Sequence, residues 1–287
     1  IVNAMGEPGA GKTTTLLAVS SLFGHPVDFL FNANKNGSTT NAWYGAIAAY
    51  NNLAFCADEI TLIDPKIFGE FALTVPQGVG KRRMLRDGTL SPHIPTWANI
   101  TLTSANVDAY DKLGQSRSDA AAESVRVLQI PFNMPSTYSK AQADAFIRTL
   151  KGNYGHAGPE FIRFVVANYE WVKARVESMV VRVDERAKIT TAERFWSAFV
   201  AAAIVGAFIA RHLGLLEGFP VEHDFDFITE QIGASRKSMV EHIATPVDTI
   251  SEFLEARVGE TLVLSQTLKA NIAPRIDQAP RGALSIR

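Results

Sequence analysis

The sequence predicts an α/β protein in which a parallel five-stranded sheet is flanked by helices and followed by a mostly helical C-terminal region. Three observations support this prediction. Over the first 135 residues, short apolar runs alternate with segments of helical spacing, as in parallel sheets whose connections are helices. A glycine-rich loop joins the first apolar run to the first helical segment. From Ser139 to about Leu216 the apolar residues keep a helical spacing throughout.

Five apolar runs supply the predicted strands. Each is five to eight residues long, and helical patterns separate them, which favours strands that are parallel and buried. The runs are Ile1–Met5 ("IVNAM"), Val27–Ala33 ("VDFLFNA"), Leu53–Ile60 ("LAFCADEI"), Asn99–Asn106 ("NITLTSAN") and Arg126–Phe132 ("RVLQIPF").

Helical patterns fill the connections between these strands. Thr13–Phe23 carries Leu16, Leu17, Val19, Leu22 and Phe23 at helical spacing, and residues 38–52 form a second helix with Ser38 to Thr40 as candidate caps. Residues 64–75 and 118–125 supply the third and fourth predicted helices of this half.

The second half of the chain predicts long helices over residues 140–154, 158–183 and 191–216, which Gly214, Gly218 and Pro220 bring to an end. A further helical stretch, 238–258, is interrupted at Pro246. We therefore predict a core at 1–135, a helical region packed on it at 136–220, and a helical or mixed extension at 221–287. The chain begins without Met and ends in "RGALSIR", so we expect a piece of a longer polypeptide.

Composition limits the classes of partner. With 47% hydrophobic and 20% charged residues the chain has the make-up of a soluble globular protein, and its net charge of −1 means that nucleic acid could bind only at a local basic patch. The most apolar stretch, Phe195–Ala210, is shorter than the roughly 20 residues that cross a bilayer, which predicts a buried helix and no membrane association. The single cysteine, Cys56, suits a reducing cytoplasm.

The segment "GEPGAGKTTT" contains the complete pattern G-x-x-x-x-G-K-[ST] between a strand and a helix. Glycines in such a loop let backbone N–H groups surround phosphate oxygens, the lysine reaches the β- and γ-phosphates, and the following hydroxyl binds Mg²⁺. We predict that Lys12 and Thr13 have these roles. The alternative is a purely structural glycine turn. The predicted nucleotide contacts are Gly6, Glu7, Pro8, Gly9, Ala10, Gly11, Lys12, Thr13 and Thr14.

Polar residues end two of the predicted strands. Asp58 and Glu59 close "LAFCADEI", and adjacent acids on a strand point to opposite faces, so we assign Asp58 to Mg²⁺ and Glu59 to the general base. An acid that merely caps a helix is the alternative. Asn106 closes "NITLTSAN" and is predicted beside the γ-phosphate, because ligands of open α/β sheets bind beyond the carboxyl ends of the strands. An ordinary asparagine turn is the alternative there.

Basic residues cluster around Asp87-Gly88, a pair that strongly favours a hairpin. A basic hairpin on a nearly neutral protein is a candidate reader of the phosphate backbone, and the alternatives are a solvated hairpin or contacts with a neighbouring subunit. The predicted DNA-binding residues are Lys81, Arg82, Arg83 and Arg86.

Arg126 stands where the fifth strand begins, and Arg117 is a second candidate for the same role. An arginine that reaches a neighbouring subunit's nucleotide stabilises charge in the transition state, whereas a surface arginine that caps the preceding helix is the alternative.

The order of these motifs along the chain resembles that of superfamily 3 helicases: a phosphate loop, the Asp-Glu strand, the basic hairpin, the asparagine strand and then the arginine. These helicases are ring-forming AAA+ ATPases of viruses, phages and plasmids, and the chain looks most like the helicase part of phage and plasmid primase-helicase proteins. The resemblance covers about residues 1–216 and implies an AAA+-like P-loop NTPase fold. Asn106 matches the sensor asparagine, Arg126 the finger arginine, and Lys81 to Arg83 the DNA-gripping hairpin, although Arg-Asp-Gly stands at its tip instead of the usual Lys-His type.

The resemblance implies an ATPase that uses ATP and Mg²⁺, assembles as a hexameric ring, and moves along single-stranded DNA independently of sequence during phage or plasmid DNA replication. Its location would then be the cytoplasm of a bacterial host. An AAA+ ATPase that loads or remodels protein assemblies is the alternative, with the hairpin serving subunit contacts. A small-molecule kinase is disfavoured because the chain lacks an arginine-rich lid.

Overall fold

The structure is a computed structural model, and it describes residues 1–32, 40–82, 84, 86–115, 120–132, 139–217, 221–243, 246–257, 263–265 and 275–278. The chain divides into two compact units, Ile1–Ile243 and Ala244–Arg287. The second unit contains a helix and an antiparallel strand pair in which Leu264 faces Ile276. The domain boundaries predicted near residues 135 and 220 stay predictions.

The strands of the described chain are β1 (Val2–Met5), β2 (Leu30–Asn32), β3 (Phe55–Asp58), β4 (Thr101–Ala105), β5 (Leu128–Pro131), β6 (Val263–Ser265) and β7 (Arg275–Gln278). The first unit is built on a parallel sheet in the order β2-β3-β4-β1-β5, which confirms the predicted α/β class. The helices are α1 (Lys12–Ser20), α2 (Thr40–Tyr50), α3 (Pro65–Thr74), α4 (Ala109–Gly114), α5 (Ala120–Ser124), α6 (Lys140–Gly152), α7 (Ala157–Ala167), α8 (Tyr169–Ala187), α9 (Arg194–His212), α10 (Val221–His242) and α11 (Pro246–Ala256).

Four elements differ from the sequence prediction. α10 begins at Val221, seventeen residues before the helical stretch predicted from residue 238. The second strand begins only at Leu30, because Asp28 and Phe29 donate their backbone N–H groups to the His25 carbonyl in a turn; its predicted end at Ala33 lies outside the described residues. The helix predicted over 158–183 is two helices, since Asn168 leaves helical geometry at φ −120° and ψ 30°. α4 was not predicted, although Asp108 caps it by accepting from Tyr110 N at 2.7 Å.

Two apolar clusters hold the first unit together. One packs α2 and α3 against β3 and includes the fully buried side chains of Ile47, Phe55, Phe68 and Phe71. The other packs α8, α9 and α10 against β5, with Trp196 almost completely buried. Within the described residues, one helical stretch, Thr191–His212, is long and apolar enough to cross a membrane. Its buried face belongs to the second cluster, as expected of the core helix that the sequence predicts.

A buried hydrogen-bond network ties α10 to the sheet. The side chain of Gln129 in β5 accepts a hydrogen bond from the Asn3 side-chain amide at 3.2 Å and donates one to Asp108 Oδ2 at 2.8 Å. Ser238 of α10 donates to the same carboxylate oxygen at 2.6 Å, while Ser235 binds the Gln129 backbone. Because buried polar groups without partners are costly, this network specifies where α10 and the start of α4 lie relative to β5.

Candidate nucleotide-binding site

The glycine loop follows the carboxyl end of β1 and leads into α1 at the edge of the sheet where β3 and β4 also end. Gly9 and Gly11 have φ values of +85° and +92°, a left-handed conformation that favours glycine. Gly6 donates its N–H to the Ala105 carbonyl at 3.2 Å, and a Cβ at Gly6 would lie 2.2 Å from the Phe132 carbonyl oxygen. The loop is therefore seated between the ends of β4 and β5, where a side chain at Gly6 does not fit.

Lys12 is buried inside this loop. Its Nζ donates to the Gly6 carbonyl at 2.6 Å and to the Glu7 carbonyl at 2.8 Å. A buried ammonium requires such partners, and among the described residues Lys12 forms no ion pair with a carboxylate. Lys12 thus places a cation next to the first-turn N–H groups of α1, which is an electrostatic setting that binds phosphate.

Thr13 and Asp58, the two residues that the sequence analysis assigns to Mg²⁺, meet across the sheet edge. The Thr13 hydroxyl donates to Asp58 Oδ2 at 2.9 Å, and the Ser104 hydroxyl donates to the other carboxylate oxygen. No group of three or more His, Cys, Asp or Glu side chains able to hold a metal exists among the described residues. Oxygen ligands suit Mg²⁺, which usually keeps waters and shares phosphate oxygens with one or two carboxylates. Thr13 and Asp58 fit that pattern, and their metal-binding role stays a prediction.

Glu59 adopts a left-handed backbone conformation, with φ 56° and ψ 43°. Its N–H donates to the Ser104 hydroxyl at 3.0 Å, so Ser104 holds both acids. β3 ends at Asp58, and both acids line the same cleft. The sequence argument, that strand alternation turns Asp58 and Glu59 to opposite faces, is therefore wrong. The left-handed backbone of Glu59 instead sets the direction of its side chain relative to Asp58. Strained residues of this kind concentrate at functional sites.

These groups line an open cleft of about 1270 Å³. Its floor is the phosphate loop with Asp58, Glu59 and Ser104; exposed Asn106 stands at the end of β4. α6 supplies the opposite side with Lys140 and Phe146, the latter 47% exposed. The volume is large enough for a nucleoside triphosphate.

Sequence reasoning missed Ser104 and the α6 residues. Ser104 had a signal, because it lies two residues before Asn106 in the predicted strand Asn99–Asn106 and was therefore expected on the same side of it. No sequence signal assigned Lys140 and Phe146 to the cleft, since they lie far along the chain and reach it only because α6 packs against α1.

Replacing Ser104 with alanine should raise the Mg²⁺ concentration needed for half-maximal ATP hydrolysis by about 10- to 100-fold, the range for groups that orient metal ligands. The substitution removes one donor from Asp58 and the acceptor of the Glu59 N–H. Titrating Mg²⁺ at saturating ATP measures the effect. Ser197→Ala removes an equally buried hydroxyl of α9, bonded to Arg194 O, and should leave the Mg²⁺ dependence unchanged. An unchanged dependence in Ser104→Ala would contradict its role.

Cys56 lies two residues before Asp58 and is fully buried in β3. Burial raises the pKa of its thiol to about 11, against a smaller lowering by a hydrogen bond with Ser20. The thiol is therefore protonated at neutral pH and belongs to the core rather than to the site.

Arg126 does not reach the cleft of its own chain. It precedes β5, whereas the phosphate loop follows the other end of β1, so the two lie at opposite edges of a parallel sheet. Its guanidinium donates to the Ala122 carbonyl and lies 5.6 Å from the centroid of the Phe195 ring. A role at a neighbouring subunit's nucleotide stays a prediction. Arg117 lies outside the described residues.

The hairpin predicted around Asp87-Gly88 is present. Val79 pairs with Thr96 and Met84 with Leu90 in antiparallel bridges. Gly88 has φ +81°, and Asp87 accepts from the Thr89 hydroxyl at 2.7 Å and from its N–H at 2.9 Å. These hydrogen bonds lower the pKa of Asp87, which keeps its carboxylate ionised. The base of the hairpin lies beside the start of β4, at the edge of the sheet opposite the phosphate loop.

The basic residues of the hairpin are not equivalent. Lys81 forms an ion pair with Glu70 of α3, and that hydrogen bond raises the pKa of Lys81. Arg82 and Arg86 are exposed and have no ion pair within the described part of the chain. Arg83 lies outside the described residues. Among the described residues of the hairpin, Arg82 and Arg86 therefore present positive charge that no ion pair engages.

Comparison with known proteins gives a match of part of the chain to one sequence family and a similarity in fold to a solved structure. Residues 1–93 match a sequence family described as a domain of unknown function, DUF927. No curated protein sequence matches the chain. A solved structure described as "SCCmec type IV Cch - active helicase" superposes with a TM-score of 0.62 at 17% identity, covering 90% of this chain and 46% of that one. The chain thus spans about half the length of that protein, and the similarity shows a shared fold.

Proposed function

We propose that this chain is the ATP-hydrolysing motor of a ring-forming DNA helicase or translocase, of the superfamily 3 type that serves phage and plasmid replication. The observation that carries the proposal is the hydrogen-bonded chain from Thr13 through Asp58 and Ser104 to the Glu59 N–H, set against a buried lysine in one cleft. The fold shared with a protein described as an active helicase supports it.

Each residue of the cleft has a chemical task in this proposal. The loop N–H groups and Lys12 bind the β- and γ-phosphates, with Lys12 exchanging its two carbonyl partners for phosphate oxygens. Mg²⁺, held by Thr13 and Asp58, would neutralise charge on the same oxygens. Glu59 takes a proton from the attacking water while the water oxygen forms a bond to the γ-phosphorus. The bond between the γ-phosphorus and the bridging oxygen breaks, and that oxygen leaves with ADP. Asn106 orients that water and the γ-phosphate.

Ring assembly belongs to the same proposal. Lys12 and Lys140 line the cleft, but none of the described lining residues is an arginine. A guanidinium that stabilises the transition state would therefore come from a second subunit, and Arg126 is our candidate. Single-stranded DNA as the track, a hexamer as the assembly and the bacterial host cytoplasm as the location complete the proposal.

The hairpin provides the test of this function. Changing Arg82 and Arg86 together to alanine should weaken binding to unrelated single strands by similar factors, because a translocase grips phosphates rather than bases. The slope of log affinity against log salt should fall by about 0.7 per lost contact, so by about 1.4 for the pair. Basal ATPase should survive, since the hairpin and the cleft lie at opposite edges of the sheet, while stimulation by DNA should be lost.

Two control variants sharpen this test. Lys81→Ala should have a smaller effect than either arginine change, because Glu70 already engages Lys81. Arg163→Ala removes an exposed arginine of α7 that pairs with Glu160 and should leave DNA binding unchanged. If the double variant keeps its DNA affinity and salt slope but no longer assembles, the hairpin is a subunit contact. The protein-remodelling alternative then replaces the helicase proposal.

A further inference from the structure

We propose that a groove on the helical region is a second binding site, one that takes single-stranded nucleic acid by stacking bases on aromatic side chains and holding phosphates with two arginines. The groove lies between α8, α9 and α10, has a volume of about 360 Å³, and contains Trp171, Arg175, Arg182, Phe208 and Phe225. Nothing in the nucleotide cleft or the hairpin contributes to it. The inference goes beyond the proposed function, because such binding would stand without ATP hydrolysis.

The arrangement of charge on α8 concentrates positive residues along this groove. Trp171, Arg175, Ser178 and Arg182 are spaced by four, three and four residues, which places them on one face of the helix. Of the four acidic residues of α8, Glu170, Glu177 and Asp184 fall away from this face by the same periodicity, whereas Glu185 follows Arg182 by three residues and lies on it. Between Trp171 and Arg182 the face therefore offers a polyanion two exposed guanidinium groups and no carboxylate.

Two of the three aromatic side chains of the groove, Trp171 and Phe208, are exposed, and Trp171 and Phe225 have ring contacts that position them. Trp171 is 39% exposed and Phe208 54% exposed. Phe164 meets the Trp171 ring edge to face at 6.3 Å, while the Arg175 guanidinium lies 5.3 Å from its centroid. Arg182 lies 5.7 Å from the centroid of the Phe225 ring. A base could stack on a ring or on a guanidinium plane while the arginine N–H groups contact phosphate, the combination found in proteins that bind single strands.

The spacing of the arginines sets the length of strand that the groove accommodates. Arg175 and Arg182 are seven residues apart, which is about 10.5 Å along the helix axis. Stacked nucleotides advance about 3.4 Å per step, so the two arginines match phosphates about three steps apart. Apolar surface alone would suit any hydrophobic partner. Paired arginines above aromatic rings favour a ligand that is both anionic and aromatic, and we commit to nucleic acid.

The tryptophan content of the chain provides a direct readout. Of the four tryptophans, Trp43, Trp97 and Trp196 are at most 4% exposed, so a base that stacks on an accessible indole reports on Trp171. Adding a twelve-nucleotide deoxythymidine oligonucleotide to the Arg82→Ala, Arg86→Ala variant, in which the hairpin contribution is removed, should quench tryptophan fluorescence. Trp171→Phe should abolish the quenching while retaining an aromatic ring.

The arginines are tested in the same variant. Changing Arg175 and Arg182 to alanine should weaken oligonucleotide binding at least about tenfold and flatten the salt slope by about 1.4. Lys173→Ala is the matched control, since it removes an exposed positive charge from the opposite face of the same helix and should change neither quantity. Far-ultraviolet circular dichroism and melting temperature show whether each variant is folded.

Several results would overturn the inference. Quenching that survives Trp171→Phe, or an unchanged affinity and salt slope in the double-arginine variant, places the nucleic acid elsewhere. Absence of quenching by the oligonucleotide together with quenching by an acidic amphipathic peptide makes the groove a protein-binding site instead. The two proposals fail in different ways. Quenching of Trp171 without DNA-stimulated ATPase activity would contradict the helicase proposal and support this site. DNA-stimulated ATPase activity without quenching of Trp171 would contradict only this site.

Discussion

Replacing Lys12 with alanine is expected to lower the rate of ATP hydrolysis by about 10³-fold or more and to weaken nucleotide binding. Lys12 is the buried cation of the phosphate loop, and the two carbonyls that hold it offer no competing negative charge. Removing a preorganised charge from a transition state that gains charge on oxygen costs a rate factor of this order. Steady-state phosphate release and titration with a fluorescent ATP analogue measure the two effects.

The control for Lys12→Ala is Lys140→Ala, which removes the other lysine of the cleft. Lys140 is exposed in the first turn of α6, so its loss should affect binding far less than the loss of the buried lysine. A melting curve on Lys12→Ala tests whether the orphaned carbonyls of Gly6 and Glu7 have destabilised the loop. Hydrolysis within tenfold of wild type in a folded Lys12→Ala protein would show that the loop is structural.

Replacing Glu59 with glutamine is expected to preserve ATP binding and to lower kcat by about 10²- to 10⁴-fold, the usual contribution of a general base. The change keeps the shape of the side chain and the backbone N–H that donates to Ser104, so the left-handed turn should remain. Asp58 and Thr13 are untouched, and Mg²⁺-dependent nucleotide binding should therefore persist. Parallel measurements of KM and kcat separate loss of the base from loss of binding.

Asp58→Asn is the informative companion to Glu59→Gln. It removes the charge that Thr13 and Ser104 both contact, so it should weaken the Mg²⁺ dependence of binding as well as turnover. The two neighbouring acids would then fail in different ways. Turnover near the wild-type rate in Glu59→Gln would assign the base to another residue.

Local patterns were sufficient to predict most of the first unit. A strand, a glycine loop and a helix are contiguous in the chain, so the phosphate loop and its setting could be identified without any distant contact. The same holds for the five strands and for the hairpin at Asp87-Gly88. The break at Asn168 and the short helix α4 escaped prediction, because a single residue's backbone geometry and a cap decide them rather than an apolar period.

The sequence by itself therefore determined the α/β class, the glycine loop between a strand and a helix, and the place of Asp58 and Glu59 at the end of β3, all of which depend on residues a few positions apart. The strand order decided the rest. Because β4 lies between β1 and β3, Ser104 reaches Asp58 and Glu59 from 45 residues away or more, while α6 reaches the cleft from still further along the chain. Packing of the helices likewise decides three further features. These are the ion pair of Lys81 with Glu70, the position of Arg126 away from the cleft of its own chain, and the arginine-lined groove. Periodicity records which side chains face a core, but the partner that each one meets depends on long-range packing.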